Sequence, residues 1–161
     1  MSQPPLDAVA TLDHLTTRYN RLESVYRLTR TIAAAGTVDD VCRIAVEALL
    51  EASPGCRCSL LLFDRDGAIR FRAWHGISEA FRKDMEDRCP CKSGEHGARA
   101  IIMRDVLNEP SLAGLEGTFT SERIRALACI PLSGRDGVMG KFVIYGDKAG
   151  DPIGADLDLA S

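Results

Sequence analysis

Twice along this chain an extended apolar run, a four-residue polar turn ending in glycine and a second extended run follow one another. Residues 56–63, rich in leucine, lead through Asp64-Arg65-Asp66-Gly67 into 68–75. Residues 126–132 lead through Gly134-Arg135-Asp136-Gly137 into 138–145. Asp-Gly between extended runs is a hairpin signal, because glycine supplies the positive φ that a tight turn needs. Residues 100–106 read as one further strand. Two hairpins and a single strand, separated by helical segments, predict an antiparallel sheet of five or six strands in an α+β layout. A doubly wound parallel sheet is excluded.

The helical segments carry their own signals. Leu12, Leu15, Tyr19, Leu22 and Tyr26 recur at spacings of three and four, with Val25, Leu28 and Ile32 alongside. That stripe predicts a long amphipathic helix over residues 6–35, ended by Gly36 and suited to pairing in parallel with a second copy. Thr37-Val38-Asp39-Asp40 reads as a capped helix start, and Val41, Ile44, Ala45, Leu49 and Ala52 mark the apolar side of a helix ending before Pro54. Residues 78–88 predict a short helix capped by Ser78, with Ala80, Phe81 and Met85 as its apolar stripe. Gly114, Gly117, Thr118 and Thr120 make the stretch before Ser121 read as loop, with a short helix over 121–125. The chain stops at Ser161, where 156–160 read as a helix just beginning. Segments 89–99 and 108–120 are long for connections, and long loops over one sheet face suggest a ligand pocket.

The 161 residues carry a net charge of −3, which argues against a nucleic-acid-coating role. No apolar run approaches the ~20 residues a membrane helix needs, and no secretory signal opens the chain. The sequence therefore reads as a soluble cytoplasmic domain, long enough to build an apolar core without staples. In that compartment the six cysteines, Cys42, Cys56, Cys58, Cys89, Cys91 and Cys129, are expected mostly as thiols.

Several strings resemble the GAF domain, a small-molecule sensing module, and most of all the GAF domains of bacterial PAS/GAF sensor histidine kinases. They are Gly76-Ile77-Ser78-Glu79-Ala80-Phe81-Arg82, Asp105-Val106, residues 124–132 (Ile-Arg-Ala-Leu-Ala-Cys-Ile-Pro-Leu) and Gly140-Lys141-Phe142-Val143-Ile144-Tyr145. The resemblance covers roughly residues 25–147. It implies a strand order similar to 2-1-5-4-3, with helices on one face of the sheet and pocket loops on the other. It also implies a division into an N-terminal signalling and dimerisation helix over 1–36 and a GAF domain over 37–161 with a truncated last helix. Its implied role is non-catalytic: a regulatory domain that receives a small molecule and acts, as a homodimer, on a linked output domain such as a histidine kinase. Trp74, Cys89, Cys91, His96 and Arg125 are the candidate pocket lining. One departure bears on the ligand. Where similar kinases read His-Ser-Pro-Trp, this chain has Arg88-Cys89-Pro90-Cys91, so the loop tryptophan is replaced by a thiol. The expected core includes Leu60, Leu62, Ile69, Phe71, Ile130, Leu132, Phe142 and Ile144.

The thiols leave other chemistry open. Cys56/Cys58 and Cys89/Cys91 with His96 are metal-ligand types, though the Cys-X-Cys spacing differs from the usual two-residue knuckle, and small apolar core residues explain the first pair equally well. Loop thiols around Pro90 suit a redox sensor. His75 and His96 are each more readily surface residues than haem or metal ligands. The Cys-His pair that tethers a linear tetrapyrrole and the Asn-Lys-Phe-Asp-Glu pattern of cyclic-nucleotide binders are absent. A thiol reductase of the same fold is the enzymatic alternative, but Leu127-Ala128-Cys129-Ile130 lacks the aspartate that follows in such enzymes. No cofactor is identified by the sequence.

Overall fold

A computed structural model of the chain describes residues 23, 29–31, 33–53, 55–89 and 97–151. Most of the helix expected over 6–35, and the segments 90–96 and 152–161, lie outside the described residues. The chain divides into two compact units, residues 1–45 and 46–161.

In the first unit residues 29–31 and 33 are helical. Helix α1 (Val38–Ala52) starts in it and ends in the second. Its start is built as the sequence implies: the Asp40 amide donates to Thr37 Oγ1 at 3.1 Å, and that hydroxyl donates to the Asp40 carboxylate at 2.7 Å. One side chain thereby satisfies an amide that the helix itself leaves open.

The second unit holds the sheet. Strands β1 (Arg57–Phe63), β2 (Ile69–His75), β3 (Ile101–Met103), β4 (Ala126–Gly134) and β5 (Gly137–Gly146) are all antiparallel, in the order β2-β1-β5-β4-β3. Both expected hairpins form, with Gly67 at φ 79 and Gly137 at φ 100. The predicted strand over 100–106 is shorter, because at Val106 the chain turns into a 3₁₀ turn (Val106–Asn108), followed by a second one (Pro110–Leu112). Helix α2 (Glu79–Arg88) is capped by Ser78, whose hydroxyl accepts from the Phe81 amide at 3.1 Å.

Helix α3 (Glu116–Glu122) corrects the sequence reading, which kept 114–120 as loop and began a helix only at Ser121. Weak local propensity at Gly117, Thr118 and Thr120 is overridden because one helical turn seats both Leu115 and Phe119 in the core. Arg123 ends the helix in the left-handed conformation, φ 58 and ψ 42, and its amide closes onto Phe119 and Thr120 carbonyls.

The expected core is also corrected. Strand register puts Ser59, Leu61, Cys129, Val143 and Tyr145 on one face, with Phe71 and Leu127, and puts Cys58, Leu60, Leu62, Ala128, Ile130, Leu132, Phe142 and Ile144 on the other. The continuous core is built on the first face: Leu61, Phe71, Leu127, Val143 and Tyr145 pack with Phe81, Val106, Leu112, Leu115, Phe119 and Ile124. Of the residues expected, Leu60, Ile69 and Phe71 are buried, while Leu62, Ile130, Leu132, Phe142 and Ile144 are only half-buried. Both faces of the central strands are apolar, so alternation along the sequence does not select between them.

Candidate functional site

A cavity of about 130 Å³ lies over the first sheet face. Its floor is Leu61, Phe71, Leu127, Cys129, Lys141, Val143 and Tyr145, from four strands; Met85 and Cys89 close it from the end of α2, Ile101 and Met103 from β3, and Ser111, Leu112 and Phe119 from the crossing segment. The walls are held apart by aromatic packing. The Phe81 ring stands edge-on to Phe119 at 5.8 Å and to Tyr145 at 5.7 Å, a geometry that suits their quadrupoles. Ion pairs fix the roof: Arg88 and Thr118 both hold the Asp84 carboxylate, and Arg88 also reaches the Gly114 carbonyl at 2.9 Å. These bonds keep the Asp84 carboxyl below the usual carboxylate range.

Polar groups in the cavity are few. The Tyr145 hydroxyl is engaged with buried Ser59 at 2.7 Å, and burial pushes the phenol well above its ordinary pKa. Lys141 lies on the pocket face of β5, two residues from Val143, and its Nζ donates to Cys89 Sγ at 3.2 Å. Cys129 lies opposite Val143 on β4; burial pushes its thiol up, with the Lys141 ammonium acting the other way. The site therefore combines an apolar chamber, one ammonium and two thiols. Any polar ligand group entering a chamber of this kind must find its partner there.

Of the residues singled out in the sequence, Cys89 lines the cavity, and Cys91 and His96 lie outside the described residues. Trp74 is not part of the lining: it is 41% exposed at the end of β2, with the Arg82 guanidinium 3.8 Å over its ring. Arg125 is not part of it either. It sits at the entry to β4 and grips Asp105 through Nε and Nη2 at 3.1–3.3 Å, while Asp105 also accepts from the Leu107 amide and the Asn108 side chain. Lys141 escaped the sequence reading, although a lone lysine in step with Val143 and Tyr145 in an apolar strand was the available signal. Among the described residues no group of three or more His, Cys, Asp or Glu side chains could hold a metal ion. Cys58 is fully buried and its thiol is pushed up to about 12, by burial first and then by Cys56.

A second polar cluster stands at one end of the sheet. Arg57 of β1 binds the Glu122 carboxylate at 3.1 Å, Asp147 at 2.8 Å and the carbonyls of Gly76, Glu122 and Arg123. Glu122 in turn accepts from the Ser78 amide and hydroxyl at 2.8 and 2.6 Å. The start of α2 and the end of α3 are thus pinned to the same strand end, and with them the roof of the cavity.

The geometry has counterparts. The family model of the GAF domain matches residues 37–159. No curated protein matches the chain. Among solved structures, a domain of a protein described as a two-component sensor histidine kinase from Sinorhizobium meliloti 1021 is similar over 71% of this chain and 76% of that one, at 28% identity and a TM-score of 0.60. The GAF domain of a phosphoenolpyruvate-protein phosphotransferase from Coxiella burnetii is similar over 81% and 80%, at 20% identity and a TM-score of 0.59. Residues 122 to 287 of a methyl-accepting chemotaxis protein are similar over 84% and 88%, at 17% identity and a TM-score of 0.57.

Proposed function

The chain belongs to the GAF domain family, and from that membership we propose that it is a regulatory sensor domain whose signal is a small, largely apolar molecule held in the cavity over β1, β4 and β5. The cavity is the observation that carries this reading. Its volume, about 130 Å³, is near that of an engineered apolar cavity of roughly 150 Å³ that takes benzene, so the occupant has a body of that order. The domain works by binding rather than catalysis. Its output is a covalently linked domain such as a histidine kinase, in keeping with the likeness to the Sinorhizobium meliloti domain. In this reading residues 1–36 form the signalling helix that pairs two copies, residues 37–161 form the sensing domain, and the protein works in the cytoplasm.

A thiol-based signal is the second reading, favoured by the contact between Lys141 and Cys89. A thermal-shift series over small aromatic and aliphatic compounds tests the first. A ligand at a hundred times its Kd adds about 2.7 kcal/mol of stability, which a melting curve reads directly. Saturable shifts abolished by Val143→Trp, which fills the cavity, are expected; shifts unchanged by that substitution overturn the reading.

A further inference from the structure

Resting on the reading of the cavity as a small-molecule site, we infer that its ligand class is a small apolar α,β-unsaturated carbonyl compound, which Cys89 captures covalently with Lys141 beside it. Three observations converge on it. The Cys89 sulfur lines a chamber otherwise walled mainly by aliphatic and aromatic side chains, which holds the hydrocarbon body of such a compound. The Lys141 ammonium donates to that same sulfur at 3.2 Å, so a cation stands where negative charge must develop, first on sulfur and then on the carbonyl oxygen. The two cavity thiols are also unequal. Both are half-buried, but on β4 burial pushes the Cys129 thiol up, whereas the Cys89 sulfur at the end of α2 takes the Lys141 hydrogen bond directly.

The chemistry closes on itself. The Cys89 sulfur gives an electron pair to the β-carbon and the C–S bond forms. The alkene π pair moves to the carbonyl oxygen as an enolate, facing the Lys141 ammonium. The thiol proton passes to solvent as the sulfur attacks, the Lys141 ammonium gives a proton to the α-carbon, and the amine left on Nζ takes a proton back from solvent. Nothing is released, and no oxidant or reductant takes part. The result is a thioether that fills the chamber and removes the sulfur as a partner for Lys141. A chamber of this size suits a chain of about six carbons.

The whole chain is tested with trans-2-hexenal, followed by intact mass and peptide mapping. The expected result is a single adduct on Cys89, formed at least tenfold faster in the folded protein than at Cys89 of the urea-unfolded chain. The rate should saturate with enal concentration and fall when 1-hexanol, an unreactive molecule of like shape, is added. Lys141→Met should slow the reaction at least tenfold while Lys141→Arg restores part of it, and peptide mapping should find Cys129 unmodified. If the Lys141 variants melt below the assay temperature, the folded-against-unfolded ratio in the unaltered protein decides alone. Cys89 reacting no faster folded than unfolded, without saturation, overturns the inference. Should 1-hexanol still raise the melting temperature in that case, the cavity remains a small-molecule site and only the covalent step falls. If neither compound acts, both readings fall.

Discussion

Glu122 completes two helix ends at once: its carboxylate accepts from the amide and the hydroxyl of Ser78, 44 residues earlier in the chain. The same carboxylate takes the Arg57 guanidinium at 3.1 Å, with the two side chains 18% and 12% exposed.

Removing one partner of a pair this buried leaves the other charge stranded, a loss of roughly 3–5 kcal/mol. Glu122→Ala is therefore expected to cost about 3 kcal/mol, near the lower bound because Arg57 keeps Asp147 and three carbonyls. Urea unfolding followed by circular dichroism measures it. A loss below a third of that would mean the network is solvated rather than structural.

Gly140 has no room for a side chain. A Cβ there would stand 2.2 Å from the Leu61 carbonyl oxygen and 2.7 Å from a Leu62 methyl, and the first of these is backbone. Gly140→Ala should destabilise the domain by about 3 kcal/mol, the upper end of overpacking penalties, and shift the amide resonances of β1. A variant as stable as the parent would show that the strands yield.

Arg123 is the non-glycine residue at positive φ among the described residues, and its side chain is exposed. A left-handed conformation costs an ordinary residue about 1–2 kcal/mol, and glycine enters it freely but loses more entropy on folding. Arg123→Gly should therefore stabilise the domain, by about 0.5 kcal/mol after that offset. Calorimetry showing a lower melting temperature would assign the Arg123 side chain a role of its own.

Arg125 holds the Asp105 carboxyl below its ordinary range, chiefly through hydrogen bonds. A carboxyl whose folded pKa is depressed adds stability above its unfolded pKa, about 3.9, and loses it as the pH falls through the folded value. The gap in melting temperature between the parent and Asp105→Asn should be constant from about pH 5 to 7 and close progressively below about 3.9. A gap that persists unchanged at the most acid pH would mean the bond is not ionic.

The stripe Leu12, Leu15, Tyr19, Leu22 and Tyr26 is expected to pair two copies. Light scattering at tens of micromolar should give a dimer mass for the full chain and a monomer mass for the double substitution Leu15→Glu and Leu22→Glu. A monomer before substitution removes the pairing.

Hairpins, helix caps and strand order were legible because they depend on local chemistry and on strings such as Gly76-Ile77-Ser78 and Gly140-Lys141-Phe142. The helix at Glu116–Glu122 was not, since its cause is the burial of Leu115 and Phe119, a tertiary effect. Nor was the choice of sheet face, because Leu60 and Leu61, or Phe142 and Val143, are equally apolar neighbours. The cavity inherits that blindness. Cys89 could be picked out as a loop thiol, whereas the step of Lys141 with Val143 and Tyr145 points to the cavity only once the inward face of β5 is known. Trp74 and Arg125 illustrate the converse: both have the chemistry of pocket residues, and both are claimed by a neighbour, Arg82 and Asp105.

The pairing of β1 with β5 joins the two hairpins across most of the domain; Ser59 and Tyr145, bonded within it, are 86 residues apart. Each hairpin can zip locally in microseconds, but the seam between them must await closure of a long loop. Such non-local pairing slows folding towards the millisecond-to-second range. Because Leu61 lies on one side of that seam and Val143 and Tyr145 on the other, the floor of the cavity does not exist until this pairing has formed. A compound that binds there acts only on the finished domain, and should slow unfolding while leaving the folding rate untouched.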